Sequence, residues 1–134
     1  MIESIGEETF NFQDERFADI QLLRYRLPDF ESLTIRQKQL IYCLSQATLF
    51  GRDITFDQFG KYNLRIRKTL EAVYLNYNGE KLDYNFRALE EYLKHVWFAN
   101  GIYHHYACDK FSPLFTEDFF RKEVLALDTN QLPL

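Results

Sequence analysis

A chain of 134 residues has room for one domain and hardly two, and it is long enough to bury a core of its own. With 46% hydrophobic and 27% charged residues it belongs to neither the disordered nor the collagen-like class. Sixteen basic against twenty acidic residues leave a net charge of −4 and a pI near 5.4, which disfavours a nucleic-acid backbone as partner.

In chain order, residues 17–27 read as a short helical start followed by an extended segment, because Leu23, Tyr25 and Leu27 alternate with Arg24 and Arg26. Pro28 then drives Leu27 out of the helical region. Thr34-Ile35-Arg36-Gln37 fits a capping box, and Leu40, Ile41, Leu44, Ala47 and Thr48 follow at helical spacing up to Gly51. A second helix is expected over 62–77, with Ile66, Leu70, Val73, Tyr74 and Tyr77 as its stripe and Asn78-Gly79 as its stop. A third is expected over 84–100, with Phe86, Leu89, Leu93, Val96 and Trp97 on one side and Gly101 in the C′ position. A last helix begins after Thr116, an N-cap followed by Glu117 and Asp118, carries Phe119, Phe120, Val124 and Leu127, and fades near Asp128. The tail 129–134 shows no cap or closing element and reads as truncated. The fold class is therefore mainly α: a single helical domain over 1–134 with four to five helices and a short extended segment near 20–27.

The rings are unusually many: 13 Phe, 9 Tyr and 1 Trp make up 17% of the chain. That exceeds what a small core needs, so some are expected on a surface meant to be covered. The two cysteines, Cys43 and Cys108, cannot form a disulfide framework, and Cys43 reads as a small buried hydrophobe inside a helical stripe. No stretch approaches the roughly 20 apolar residues of a membrane span. The acidic N-terminus is not a signal peptide, which leaves the compartment open between cytoplasm and periplasm.

The chemistry-bearing residues gather in one place. His95, His104 and His105 lie within eleven positions, and the segment 100–109 also holds Asn100, Tyr103, Tyr106, Cys108 and Asp109. His-His-x-x-Cys-Asp contains zinc-ligating residue types, but in extended chain His104 and His105 point to opposite faces, and only a tight turn would converge them. A Cys108–His pair lacks an orienting third group and an oxyanion hole. His95, off the main stripe, reads as a surface or packing residue. Eight rings surround the segment (Trp97, Phe98, Tyr103, Tyr106, Phe111, Phe115, Phe119 and Phe120), most of them suited to packing, with the tyrosines reaching solvent. Arg65, Arg67 and Lys68 read as a solvated face or as ion-pair partners.

An ordered series of segments carries a resemblance: 37–42 with Leu44-Ser45-Gln46-Ala47, Gly51-Arg52-Asp53, Tyr62-Asn63-Leu64-Arg65-Ile66-Arg67, Tyr92-Leu93-Lys94, Trp97-Phe98-Ala99-Asn100-Gly101 and Lys110-Phe111-Ser112-Pro113. Over 17–127 the chain resembles the N-terminal region of bacterial dipeptidyl peptidase III, the Bacteroides-type members most closely. The resemblance implies a two-lobed zinc exopeptidase that removes dipeptides from oligopeptide N-termini. In that family a His-Glu-x-x-Gly-His helix and a further Glu hold the metal, and the Glu of the helix serves as general base toward the zinc-bound water. None of those residues is in this sequence. The chain alone is therefore expected to have no catalytic residue, no metal ligand and no cofactor, zinc belonging to the parent enzyme. The resemblance implies instead a cleft wall, with Tyr106 facing the substrate and Tyr103, His105 and Asn100 as further substrate-binding residues. Bacterial relatives read Asn-Gly-Ile-His-His-His-Tyr where this chain has Tyr103 in place of the first His, a departure that suits a shape or hydrogen-bonding role.

The implied partners are an oligopeptide and the remainder of the peptidase chain, with neither nucleic acid nor a membrane span. A fragment deprived of covering neighbours is also expected to self-associate. The alternative is a free-standing helical protein-protein interaction module whose aromatic patch docks a partner.

Overall fold

In the computed structural model, residues 10–132 are described, and they fall into two compact units that divide between Leu40 and Ile41. In the first, β1 (Gln13–Phe17) pairs antiparallel with β2 (Ile20–Leu23), Phe17 opposite Ile20 and Gln13 opposite Leu23, with an irregularity between Gln13 and Arg16. The expected helical start at Phe17 is not formed: Phe17 closes β1, and the chain reverses through Ala18, which takes φ 46°. The Gln21 carboxamide donates to the carbonyls of Asp14 (3.1 Å) and Leu22 (3.0 Å) beside this irregularity, and Arg24 pairs with Asp14 at 2.7 Å. Leu27 lies at φ −116°, ψ 79°, outside the helical region as the following proline requires, and Pro28–Ser32 forms a 3₁₀ turn.

Helix α1 (Ile35–Phe50) starts on the expected capping box: the Thr34 N–H donates to Gln37 Oε1 (2.9 Å) and the Gln37 N–H to Thr34 Oγ1 (3.4 Å). No residue of α1 is buried, and Cys43 is exposed, contrary to its reading as a core residue. Periodicity reports apolar side chains; it does not supply a surface to bury them. A helix absent from the sequence reading follows, α2 (Arg52–Phe59), which has eight residues and buries only Phe56.

The core of the second unit is built by α2, α3 (Asn63–Asn76) and α4 (Tyr84–Ala99), with Phe56, Leu70, Val73, Leu89, Leu93 and Val96 at its centre. Asp83 caps α4 by accepting from the N–H groups of Asn85 (2.9 Å) and Phe86 (3.1 Å). α3 ends where Tyr77 turns extended, and the Tyr77 ring stacks on Phe86 at 4.2 Å, with Tyr74 on Phe86 at 5.6 Å. Helix α5 (Glu117–Leu125) starts at Thr116, whose hydroxyl accepts from the Phe119 N–H at 3.3 Å. Its Phe119, Phe120 and Val124 pack against the core. The tail, read as lacking any cap, instead forms a 3₁₀ turn, Thr129–Gln131, with Asp128 and Gln131 in a reciprocal capping box. Gln131 Nε2 also donates to Asn76 Oδ1 at 2.7 Å.

Arg67 is a guanidinium at the edge of this core, its side chain only 8% exposed. It donates to Asp53 at 2.7 Å, lies 3.3 Å from Glu71 and covers the Phe56 ring at 4.6 Å. Lys68 reaches Asp53 at 3.0 Å, so two members of the basic cluster, Arg67 and Lys68, are ion-pair partners. Glu71 also accepts from the indole N–H of Trp97 at 2.8 Å. Trp97 therefore sits at the rim, 43% exposed, and off the buried stripe of Phe86, Leu89, Leu93 and Val96.

The Lys68 ammonium, and after it the Arg67 guanidinium, hold the Asp53 carboxyl below the ordinary carboxylate range. A carboxyl whose folded pKa lies below its unfolded one stabilises the fold above the unfolded value and loses that contribution as pH falls through the folded one. The stability gap between wild type and Asp53→Asn should then be flat near neutrality and close below about pH 4. Acid unfolding followed by circular dichroism measures it; a gap that persists at the lowest pH assigns the effect to shape, not charge.

Candidate functional site

The site is built at the end of α4. Asn100 takes the left-handed conformation, φ 57°, ψ 30°, and the Gly101 N–H donates to the Val96 carbonyl at 3.0 Å. Gly101 follows in the C′ position, as expected, while the left-handed residue is Asn100; no glycine in the described residues has positive φ. Gly101 is required for a different reason. A Cβ there would overlap the Asn63 carboxamide, which also lies 2.8 Å from where a Cβ on Gly60 would stand. Asn63 is 2% exposed; its Oδ1 accepts from the Ile102 N–H at 3.4 Å, and its Nδ2 is buried without a hydrogen-bond partner.

Beyond this joint, residues 102–111 fold back as a narrow loop. Tyr103 bridges Lys110 in antiparallel fashion. The Phe111 N–H donates to the Ile102 carbonyl and the His104 N–H to the Asp109 carbonyl, both at 2.8 Å, and the Ala107 N–H donates to the His104 carbonyl at 3.1 Å. The Lys110 ammonium lies 5.6 Å from the Tyr103 ring centroid, a cation–π contact across the neck.

This tight turn brings together two rings that extended chain would separate. His104 and His105 stack at 4.4 Å, and Tyr106 lies against His105 at 4.2 Å. His104 Nδ1 accepts from the Tyr106 N–H at 3.2 Å, which places the proton of the neutral ring on Nε2. His105 packs edge-on to Phe98 at 4.9 Å, and its Nδ1 is buried without a hydrogen-bond partner. Among the described residues no three His, Cys, Asp or Glu side chains stand where they could hold an ion. Cys108 is exposed near the tip, and His95 of α4 packs on Phe111 of the loop at 4.9 Å.

The four residues singled out from sequence thus occupy three levels. Asn100 is the base, Tyr103 the neck, and His105 with Tyr106 the tip. Tyr106 is 89% exposed, and the rings beside it are His105 and His104, so it is presented to solvent and takes no part in the core. Replacing it by Ala should change the unfolding free energy by less than about 0.5 kcal/mol, as measured by urea titration. Asn63 was missed; the only trace it leaves in the sequence is a pair of glycines, Gly60 and Gly101, far apart in the chain.

A separate open hollow of about 530 Å³ lies between the C-terminal ends of α3 and α5, lined by Tyr77, Lys122, Glu123 and Asp128 among others. Burial, then the nearby carboxylates of Asp83, Glu123 and Glu80, push the Tyr77 phenol up. No helix of the described residues is long and apolar enough to cross a membrane. No family model matches the chain, and no curated protein is similar to it at a significant level.

Proposed function

We propose that this chain is the N-terminal, cleft-lining part of a zinc-dependent dipeptidyl peptidase of the dipeptidyl peptidase III kind, and that its 100–111 loop contacts the oligopeptide. The ordered series of segments along the chain supports the reading. The observation that carries it is the presentation of Tyr106: a ring with a polar end, 89% exposed, tilted against His105 and standing on a loop closed at its neck. The described residues offer no ligand set for the zinc of the parent enzyme, so no catalytic step is assigned to them. Their part is to bind and orient.

In the intact gene product, Tyr106→Ala should weaken peptide binding by about 1–3 kcal/mol, the scale of one aromatic contact. The loss should appear as a raised KM with kcat and zinc content unchanged, because a contact that is equal in ground and transition states affects binding alone. An unaltered KM with a thermal midpoint several degrees lower would overturn the assignment. The second reading, a free-standing interaction module, draws on the exposed apolar side chains of α1. A gene product that releases no dipeptide with zinc present would select it.

A further inference from the structure

We infer that α1 is a core helix, enclosed on at least two sides by an apolar groove in the remainder of the peptidase polypeptide, with carboxylates of that groove facing Arg36 and Arg52. The identity of the groove rests on the reading above; the need for enclosure rests on α1 itself. Leu40, Ile41, Tyr42, Leu44, Leu49 and Phe50 are all exposed, Phe50 at 89%. At 3.6 residues per turn they are spread around the whole helix, and no gap between them exceeds about 80°. A helix that is apolar all round belongs in the middle of a core, and one of this length draws most of its stability from packing.

The same distribution decides between occupants. A lipid surface covers one side of a helix and needs a polar face toward water, which α1 lacks. A second copy also covers only one side. Antiparallel pairing of two α1 helices about Leu44 would set Arg36 against Arg52 of the other copy, and parallel pairing would set each against its own kind. From Ser32 to Arg52 there is no Asp or Glu, and from Gln39 to Gly51 no charged residue at all. Lys38 has its own partner in Glu31 at 2.8 Å. A polypeptide groove with an apolar floor and an acidic group near each end matches this pattern.

Cys43, exposed in the middle of α1, is a built-in reporter. Its alkylation by iodoacetamide, followed by mass spectrometry of the peptide that contains it, is to be timed in this chain and in the intact gene product. The expected result is alkylation at the rate of an unstructured cysteine peptide in this chain and at least 100-fold slower in the intact protein. Arg52→Glu, which leaves the apolar residues in place, should raise the slow rate 3- to 10-fold. Equal rates in the two proteins would overturn the inference. So would protection of the intact protein that fades on dilution, the sign of a second copy, or protection of this chain by phosphatidylglycerol vesicles, the sign of a lipid surface. Dipeptide release by the same preparation is read separately: slow alkylation without zinc-dependent release removes the peptidase reading and keeps the enclosed helix.

Discussion

Arg67→Ala is expected to lower the unfolding free energy by about 2–4 kcal/mol, below the full cost of breaking a buried pair because the partners remain partly hydrated. Three losses combine. Loss of the guanidinium leaves Phe56 uncovered in the core, unties Asp53 of α2 from α3, and leaves Glu71 with only the Trp97 indole as partner. The reverse truncation, Asp53→Ala, should cost about 1–2 kcal/mol: the carboxylate is 46% exposed, but the guanidinium it leaves behind is 8% exposed and keeps only Glu71 at 3.3 Å. Arg67→Met keeps much of the stem over Phe56 and should fall between the two. Urea midpoints for the three variants give the ranking. Equal losses for Arg67→Ala and Asp53→Ala would mean that the ion pair, and not the covering of Phe56, is what α2 and α3 share.

Gly101→Ala should destabilise the chain by about 2–3 kcal/mol through overpacking alone, since the backbone at Gly101 does not have positive φ and an alanine fits it without strain. The obstacle is the Asn63 carboxamide. Asn63→Ala by itself removes the acceptor of the Ile102 N–H and should cost about 1–3 kcal/mol. In that background the alanine at 101 has room, so its added cost should shrink below about 1 kcal/mol. A double-mutant cycle therefore gives a coupling of about 1–2 kcal/mol. Additive losses would show that Gly101 serves the helix end and not its contact with Asn63.

These two sites also mark where the sequence stops being legible. α1, α3, α4 and α5 could be read because caps and periodicity are local: Thr34 with Gln37 and Thr116 with Phe119 form the contacts their spacing implies. α2 escaped because its eight residues hold only Ile54, Phe56 and Phe59 as apolar positions, too short a run to show a helical stripe. Residues 17–27 were misread at their start because the reversal at Ala18 carries no glycine or asparagine to announce it. Gly101 was legible as the residue after the helix end, but not its tertiary constraint, which is set by a side chain 38 positions earlier. His104 and His105 were expected on opposite faces because the turn that stacks them depends on hydrogen bonds to Asp109 and Tyr106. Cys43 shows the general limit most simply. A run of apolar residues states a need for cover, and nothing in the run says whether the cover is at hand.

The neck of the 102–111 loop has a consequence for how this protein can change over generations. The pairs that close it, Ile102 with Phe111 and His104 with Asp109, join through main-chain groups that almost any residue supplies. Tyr106, Ala107, Cys108 and Asp109 at the far end are exposed. Mutation can therefore sample new tips one residue at a time while folding is guaranteed from below. A lineage under pressure to alter this tip would find its freedom there, and would find Asn63, Gly101 and Arg67 closed to it.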